Sequence, residues 1–456
     1  MKNLTKFNID KIIKLILGIS FLFFPVQVFA HGVGQVYNLP IPLKYYLGSA
    51  GLAVAFSFFI FALFVNGRNE SQAKIFNVKW LPLILKALGF LAVASVFLAM
   101  AAGLVGANNS SNNIAPIFFW VIFILGFGIL SLFVGNIWDK LNPWKTLTDL
   151  FGIKSGKRRI SIWLGVVLVL LLYWFELSSG TSFVPFAIGG FLLGYTLLNF
   201  LALYFFGNWY QEGELFSVFF GFIGSLAYFR IGDNNQSFEY LPLNKRLFQN
   251  ANWPLVGLAA VLLAGTSFDS FKETVVWFKI LDFLGFIYST KLIFLANTLG
   301  IILAPLPFLG FYLLLIWTMS KLTGFGFSNL AKQFAFSLVP IAFGYTLAHN
   351  FSLVIVTFPQ FLGLLSNPFG FGWDLFGTVH LITANLILGA KYIWFIEIGF
   401  VVLAHIAGTF FAHVIASKIF TDKRKILLSQ LPALALMVGF TVTTLWLLAQ
   451  PLVVSK

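Results

Sequence analysis

An all-α, polytopic helical membrane protein, with about ten transmembrane helices after a cleaved signal peptide, is the fold the sequence predicts. Three observations predict it. Mean hydropathy is +0.92, with 59% of residues hydrophobic and only 10% charged. Apolar runs recur at about the ~20 residues that cross the hydrocarbon core. The short loops between those runs alternate in their Lys and Arg content, as orientation by cytoplasmic positive charge produces. A soluble core does not fit this composition.

Residues 1–30 read as a secretory signal. Lys2, Lys6, Lys11 and Lys14 precede the apolar stretch Leu15 to Phe24, and Pro25 leads to a small-residue site at Val28-Phe29-Ala30. Cleavage after Ala30 makes His31 the new amino terminus; the competing reading is an uncleaved anchor helix. A terminal histidine offers both its amine and a ring nitrogen to a metal such as copper.

Ten spans follow, at about 45–66, 81–103, 116–138, 161–177, 184–206, 252–268, 292–317, 335–357, 392–416 and 428–449. All should be helices, because a bilayer leaves backbone polar groups no other partner. Loops 67–80, 139–160, 207–251, 318–334 and 417–427 hold eighteen of the 29 Lys and Arg, against six on the opposite side. That asymmetry predicts an inner (plasma) membrane protein with its mature N-terminus and its C-terminus periplasmic. Two connections are too apolar for plain loops. Residues 209–228 suit a re-entrant or interfacial helix. Residues 269–288 begin with acids that suit a helix amino terminus. Residues 31–456 thus read as one transmembrane helical domain, with the lipid bilayer as its first partner.

The net charge of +14 belongs to those loops, so it is read as topology and no nucleic-acid partner is expected. The absence of cysteine removes disulfides, thiolate nucleophiles, cysteine-ligated iron–sulfur clusters and covalently attached haem. HExxH, GxSxG, Walker and HxH patterns are also absent.

Function is sought where ionisable groups sit at membrane depth, since each costs ~2.5 kcal/mol or more and persists because something uses it. Segments 343–350 (FGYTLAHN) and 397–413 (EIGFVVLAHIAGTFFAH) hold three of the five histidines and a carboxylate. At ~1.5 Å per residue, His349 falls between Glu397 and His405 in depth. The expectation is a polar site between spans eight and nine, where His349 and His405 hold a divalent metal, zinc or copper, and Glu397 acts as base. The same histidines could instead hydrogen-bond across helices, or act as axial haem ligands with Gly408 making room for the ring. His405 and His413, roughly 12 Å apart along one helix, cannot share a metal; His413 is expected at the interface. Residues 367–380 (NPFGFGWDLFGTVH) supply glycines, Asp374 as a second candidate acid, and His380 in a loop able to fold over the site. Glu176, Asp269 and Glu273 add acids on the same side. A transporter moving an ion or protons through these residues is the rival to an enzyme acting on a small molecule. Oligomeric state is not legible.

Several segments, taken as a set, carry a resemblance: residues 31–42 (HGVGQVYNLPIP), 135–144 (GNIWDKLNPW), 213–219 (GELFSVF), 268–274 (FDSFKET), 347–350 (LAHN), 367–378 (NPFGFGWDLFGT) and 404–413 (AHIAGTFFAH). With them the chain resembles bacterial multipass membrane proteins labelled fenitrothion hydrolase, over nearly the whole mature length. The resemblance implies a membrane-bound hydrolase that cleaves a phosphorus–oxygen bond of an aryl phosphorothioate triester and releases a phenol.

Overall fold

The structure, a computed structural model, describes residues 39–65, 72–242, 251–383 and 388–453. The signal segment and His31 lie outside the described residues. The chain is built from helices α1 (Leu43–Phe64), α2 (Leu81–Val105), α3 (Ile114–Val134), α4 (Ile162–Ser178), α5 (Pro185–Phe205), α6 (Leu215–Gly224), α7 (Trp253–Lys272), α8 (Val275–Phe283), α9 (Thr290–Thr323), α10 (Phe327–Ser366), α11 (Ala390–Ile419) and α12 (Lys423–Val453). Among the described residues, nine of these are long and apolar enough to cross a membrane. The shorter α4 occupies the fourth predicted span, so the all-α polytopic architecture stands as expected.

The local signals explain the starts. Proline occupies the first turn of α2, α5 and α7, where its missing N–H costs nothing. Asn113, Ser161 and Asn252 cap α3, α4 and α7 by accepting from backbone N–H groups. Two ends run past the predicted apolar windows. α9 continues to Thr323 through a break at Ala304, before Pro305. α10 begins at Phe327 and reaches Ser366, with a 3-10 turn at Ala335–Leu338. Hydropathy marks the greasy middle of a helix, while hydrogen bonding carries it further.

Residues 209–228 do not lie flat on the surface. A π-helical turn at Trp209–Gly213 leads into α6, whose Phe216 and Phe220 are fully buried against α3 and α4. An interfacial helix would leave one face in lipid; α6 instead packs within the bundle, and its last residue, Gly224, meets Gly135 and Asn136 at the Lys/Arg-rich end.

A buried carboxylate holds α6 in place. Glu214 caps the helix by accepting from the backbone N–H of Phe216 and of Ser217 (3.1 and 2.6 Å). It also accepts from Trp138 Nε1 (2.9 Å), Ser217 Oγ (2.6 Å) and the Tyr195 hydroxyl. An aromatic cage of Phe123, Trp138, Trp144 and Phe216 closes around it, with the Phe123 and Phe216 ring centroids 4.7 Å apart. The charge is buried but fully hydrogen-bonded, which is the condition for tolerating it there.

Elsewhere small residues set helix spacing. A Cβ on Gly103 of α2 would stand 2.9 Å from Gly189 Cα of α5, so the two backbones touch. Likewise Gly344 of α10 faces Ala404 of α11. At the Lys/Arg-rich end, β1 (Lys74–Asn77), β2 (Phe229–Ile231) and β3 (Ser237–Tyr240) form an antiparallel sheet in the order β1-β3-β2, pairing Ile75 with Glu239 and Arg230 with Glu239. No alternation long enough to predict it exists in those loops.

Asp139, in the short helix Trp138–Leu141 that follows α3, lies 3.1 Å from Lys145 and 3.2 Å from Lys140. Burial works to raise its carboxyl pKa, but Lys145 and Lys140 more than offset that and hold it below the usual carboxylate range. A depressed folded-state pKa contributes stability present above the unfolded value and lost as pH falls through the folded one. Acidification below the ordinary carboxylate range should therefore destabilise the wild type more than Asp139→Asn, read by thermal unfolding in detergent. Equal acid sensitivity would contradict the pairing.

Candidate functional site

The ionisable groups converge at the Lys/Arg-poor end, between α4, α7 and α10. His349 Nε2 of α10 lies 2.6 Å from Asp269 Oδ2 of α7, and Asp269 Oδ1 lies 3.1 Å from Lys272 Nζ. On its other side His349 Nδ1 lies 3.2 Å from Ser270 Oγ, which accepts from the Tyr345 hydroxyl (2.9 Å). Ser270 also reaches Thr266 O at 3.3 Å. This network holds the histidine in either protonation state. A neutral ring donates from Nε2 to Asp269 and accepts at Nδ1 from Ser270. A protonated ring donates from both nitrogens while the Ser270 hydroxyl turns to Thr266 O.

Asp269, Lys272 and His349 line a cavity of about 390 Å³ with Glu176 of α4, Tyr173 and Trp120. Thr266, Thr346 and Asn350 add polar wall, and Phe183 and Phe219 add aromatic wall. Trp120 Nε1 donates to Ser182 O (2.7 Å), tying the loop between α4 and α5 over the cavity. Glu176 makes no hydrogen bond or ion pair with a described side chain, so its carboxylate is available to a guest. The volume falls in the range of small-molecule sites, roughly 300–1,000 Å³.

This is not the site the sequence predicted. His349 is in it, but His405 and Glu397 are not. His405 is fully buried, its Nδ1 donates to Val401 O of its own helix (2.8 Å), and its Nε2 has no partner among the described residues. Glu397 is buried at 8% exposure and does not line the cavity. The reason is azimuth. Ser337, Ile341 and Gly344 of α10 face α11, as their approaches to Gly408 and Ala404 show. His349, five residues on from Gly344 at ~100° per residue, points roughly 140° away, toward α7.

The described residues do not by themselves make a catalytic zinc site. Catalytic zinc takes three protein ligands, and among the described residues no three His, Asp or Glu side chains form such a group. Haem between His349 and His405 fails on space as well. A Cβ on Gly408 would already meet Ser337 O at 2.9 Å and Ile341 Cδ1 at 3.0 Å, so no room for a ring exists there. Asp374 is an exposed turn residue whose Oδ1 accepts from Val379 N (3.1 Å), and the loop around it folds on itself through Ser366 and Asn367. His413, expected at the interface, is buried between Gln430 Oε1 (2.9 Å) and Val65 O (3.0 Å).

Asp269, Ser270 and Lys272 were missed as partners of His349. A signal existed: FDSFKET holds an acid, a hydroxyl and a cation at the end of an apolar helix, and LAHN holds the histidine. His405 provides a check on the reassignment. His405→Leu should leave any turnover within about twofold of wild type and should not lower thermal stability, since it removes a buried unpaired nitrogen. Loss of activity in that variant would return His405 to the site.

Fold and site together define an all-α polytopic membrane protein with an ionisable cavity at one end of its bundle. No family model, no curated protein and no solved structure matches the chain.

Proposed function

We propose that this protein binds a small aryl ester in the cavity between α4, α7 and α10 and hydrolyses it by metal-independent acid–base chemistry. The observation that carries the reading is the unpaired Glu176 carboxylate facing the same cavity as the Asp269–His349–Lys272 cluster. The aryl phosphotriester class comes from the resemblance of its motifs to the fenitrothion hydrolase family. Two of those motifs, FDSFKET and LAHN, supply the cluster.

In this reading Tyr173, Trp120 and Phe183 receive the aryl ring, and Glu176 takes a proton from a water that attacks phosphorus. The bond from phosphorus to the aryl oxygen breaks and the phenolate leaves. Lys272, the cation on the wall, balances the negative charge that grows on the phosphoryl and leaving oxygens. Glu176 then gives that proton up through His349, on the same wall, to the departed phenolate or to water, which restores the carboxylate. The Lys/Arg distribution supports a periplasmic placement of this cavity in an inner membrane.

The test is release of a nitrophenol from an aryl phosphotriester by purified protein in detergent, beside His349→Phe. A wild type with turnover well above the variant supports the proposal. Equal release from both, or none from the wild type, rejects it.

A further inference from the structure

A second cavity, of about 480 Å³, opens at the other end of the same bundle. Its wall includes Asn136, Gln211, Ser217, Arg230 and Asn252. The two cavities are not on unrelated surfaces. α4 contributes Ile162 to one and Glu176 to the other, α7 contributes Leu258 and Thr266, and α10 contributes Phe336 and His349. Along α7 the walls are separated by roughly 12 Å at ~1.5 Å per residue.

What stands between them is α6. Its Ser217, Val218, Gly221 and Phe222 line the cavity at the Lys/Arg-rich end, while Phe219 lines the one beside His349. Because Glu214 clamps the start of α6, the helix is a fixed post, and Phe219 is its side chain on the wall of the His349 cavity. A short helix buried in the bundle, with polar residues in a vestibule on either side, is how non-spanning segments at membrane depth line a path.

We infer that the two cavities are the halves of one transmembrane passage for small organic molecules, closed in this structure by the Phe219 ring. The passage takes its ligand class, a small aromatic molecule or its cleaved product, from the proposed function. It does not need that ligand to be cleaved.

The chain contains no cysteine, so one introduced thiol reports access cleanly. Thr266→Cys marks the wall of the His349 cavity. In oriented vesicles, a membrane-impermeant sulfonate thiol reagent is applied at the Lys/Arg-rich face, to Thr266→Cys alone and combined with Phe219→Ala. An open state populated at about 0.1–10% gives slow labelling of the single variant, and removing the ring should accelerate it by at least about tenfold. Phe219→Val serves the same purpose if the alanine variant does not fold. Labelling from the Lys/Arg-rich face in neither background, with normal labelling from the opposite face, overturns the passage. Nitrophenol release measured on the wild-type protein separates the two proposals. Turnover without cross-bundle labelling removes the passage alone, and labelling without turnover removes the hydrolase alone.

Discussion

Glu214→Ala should yield little folded protein. The substitution strands Trp138 Nε1 and the Tyr195 hydroxyl, both buried, and removes the cap of α6. Each stranded donor costs about 1–3 kcal/mol and the lost cap adds about 1 kcal/mol. Glu214→Gln keeps one acceptor oxygen and should fall between the two. Size-exclusion profiles and thermal unfolding in detergent read the order wild type, Gln, Ala. A monodisperse Glu214→Ala protein with an unchanged Tm would show that the carboxylate does not hold α6, and with it would go the fixed post between the cavities.

The second large effect is on chemistry. Glu176→Gln keeps the size and the hydrogen-bonding capacity of the side chain but cannot accept a proton, so nitrophenol release should drop about 10²- to 10⁴-fold. Thermal stability should hold, because Glu176 has no partner among the described side chains to lose. Retained turnover in the glutamine variant would mean that Glu176 is not the base. Lost turnover together with lost stability would mean that the residue is structural.

The bundle was legible in the sequence because a bilayer enforces one rule everywhere: apolar length makes a helix and leaves little choice about its hydrogen bonds. The site was only half legible. Depth along a helix can be counted, and it put His349 near the right level. Azimuth depends on which neighbours pack where, and that was decided by small residues. Gly344 against Ala404, and Gly408 against Ser337 and Ile341, fix one face of α10 on α11 and turn His349 to α7. Pairing His349 with His405 therefore failed although both sit within the membrane. Glu214 shows the same limit. GELFSVF and GNIWDKLNPW stand far apart in the chain, and only folding brings the Glu214 carboxylate to Trp138. Each of these two motif pairs meets in space, one as an anchor for α6 and one as an ionisable wall.

The most direct measurement is nitrophenol release by purified wild-type protein after exhaustive chelation, with Asp269→Asn measured in parallel. The account predicts that release survives chelation and is sharply reduced when Asp269 no longer holds His349 and Lys272. Release that disappears with the chelator and returns with added zinc or copper would contradict it, and so would an Asp269→Asn variant as active as wild type.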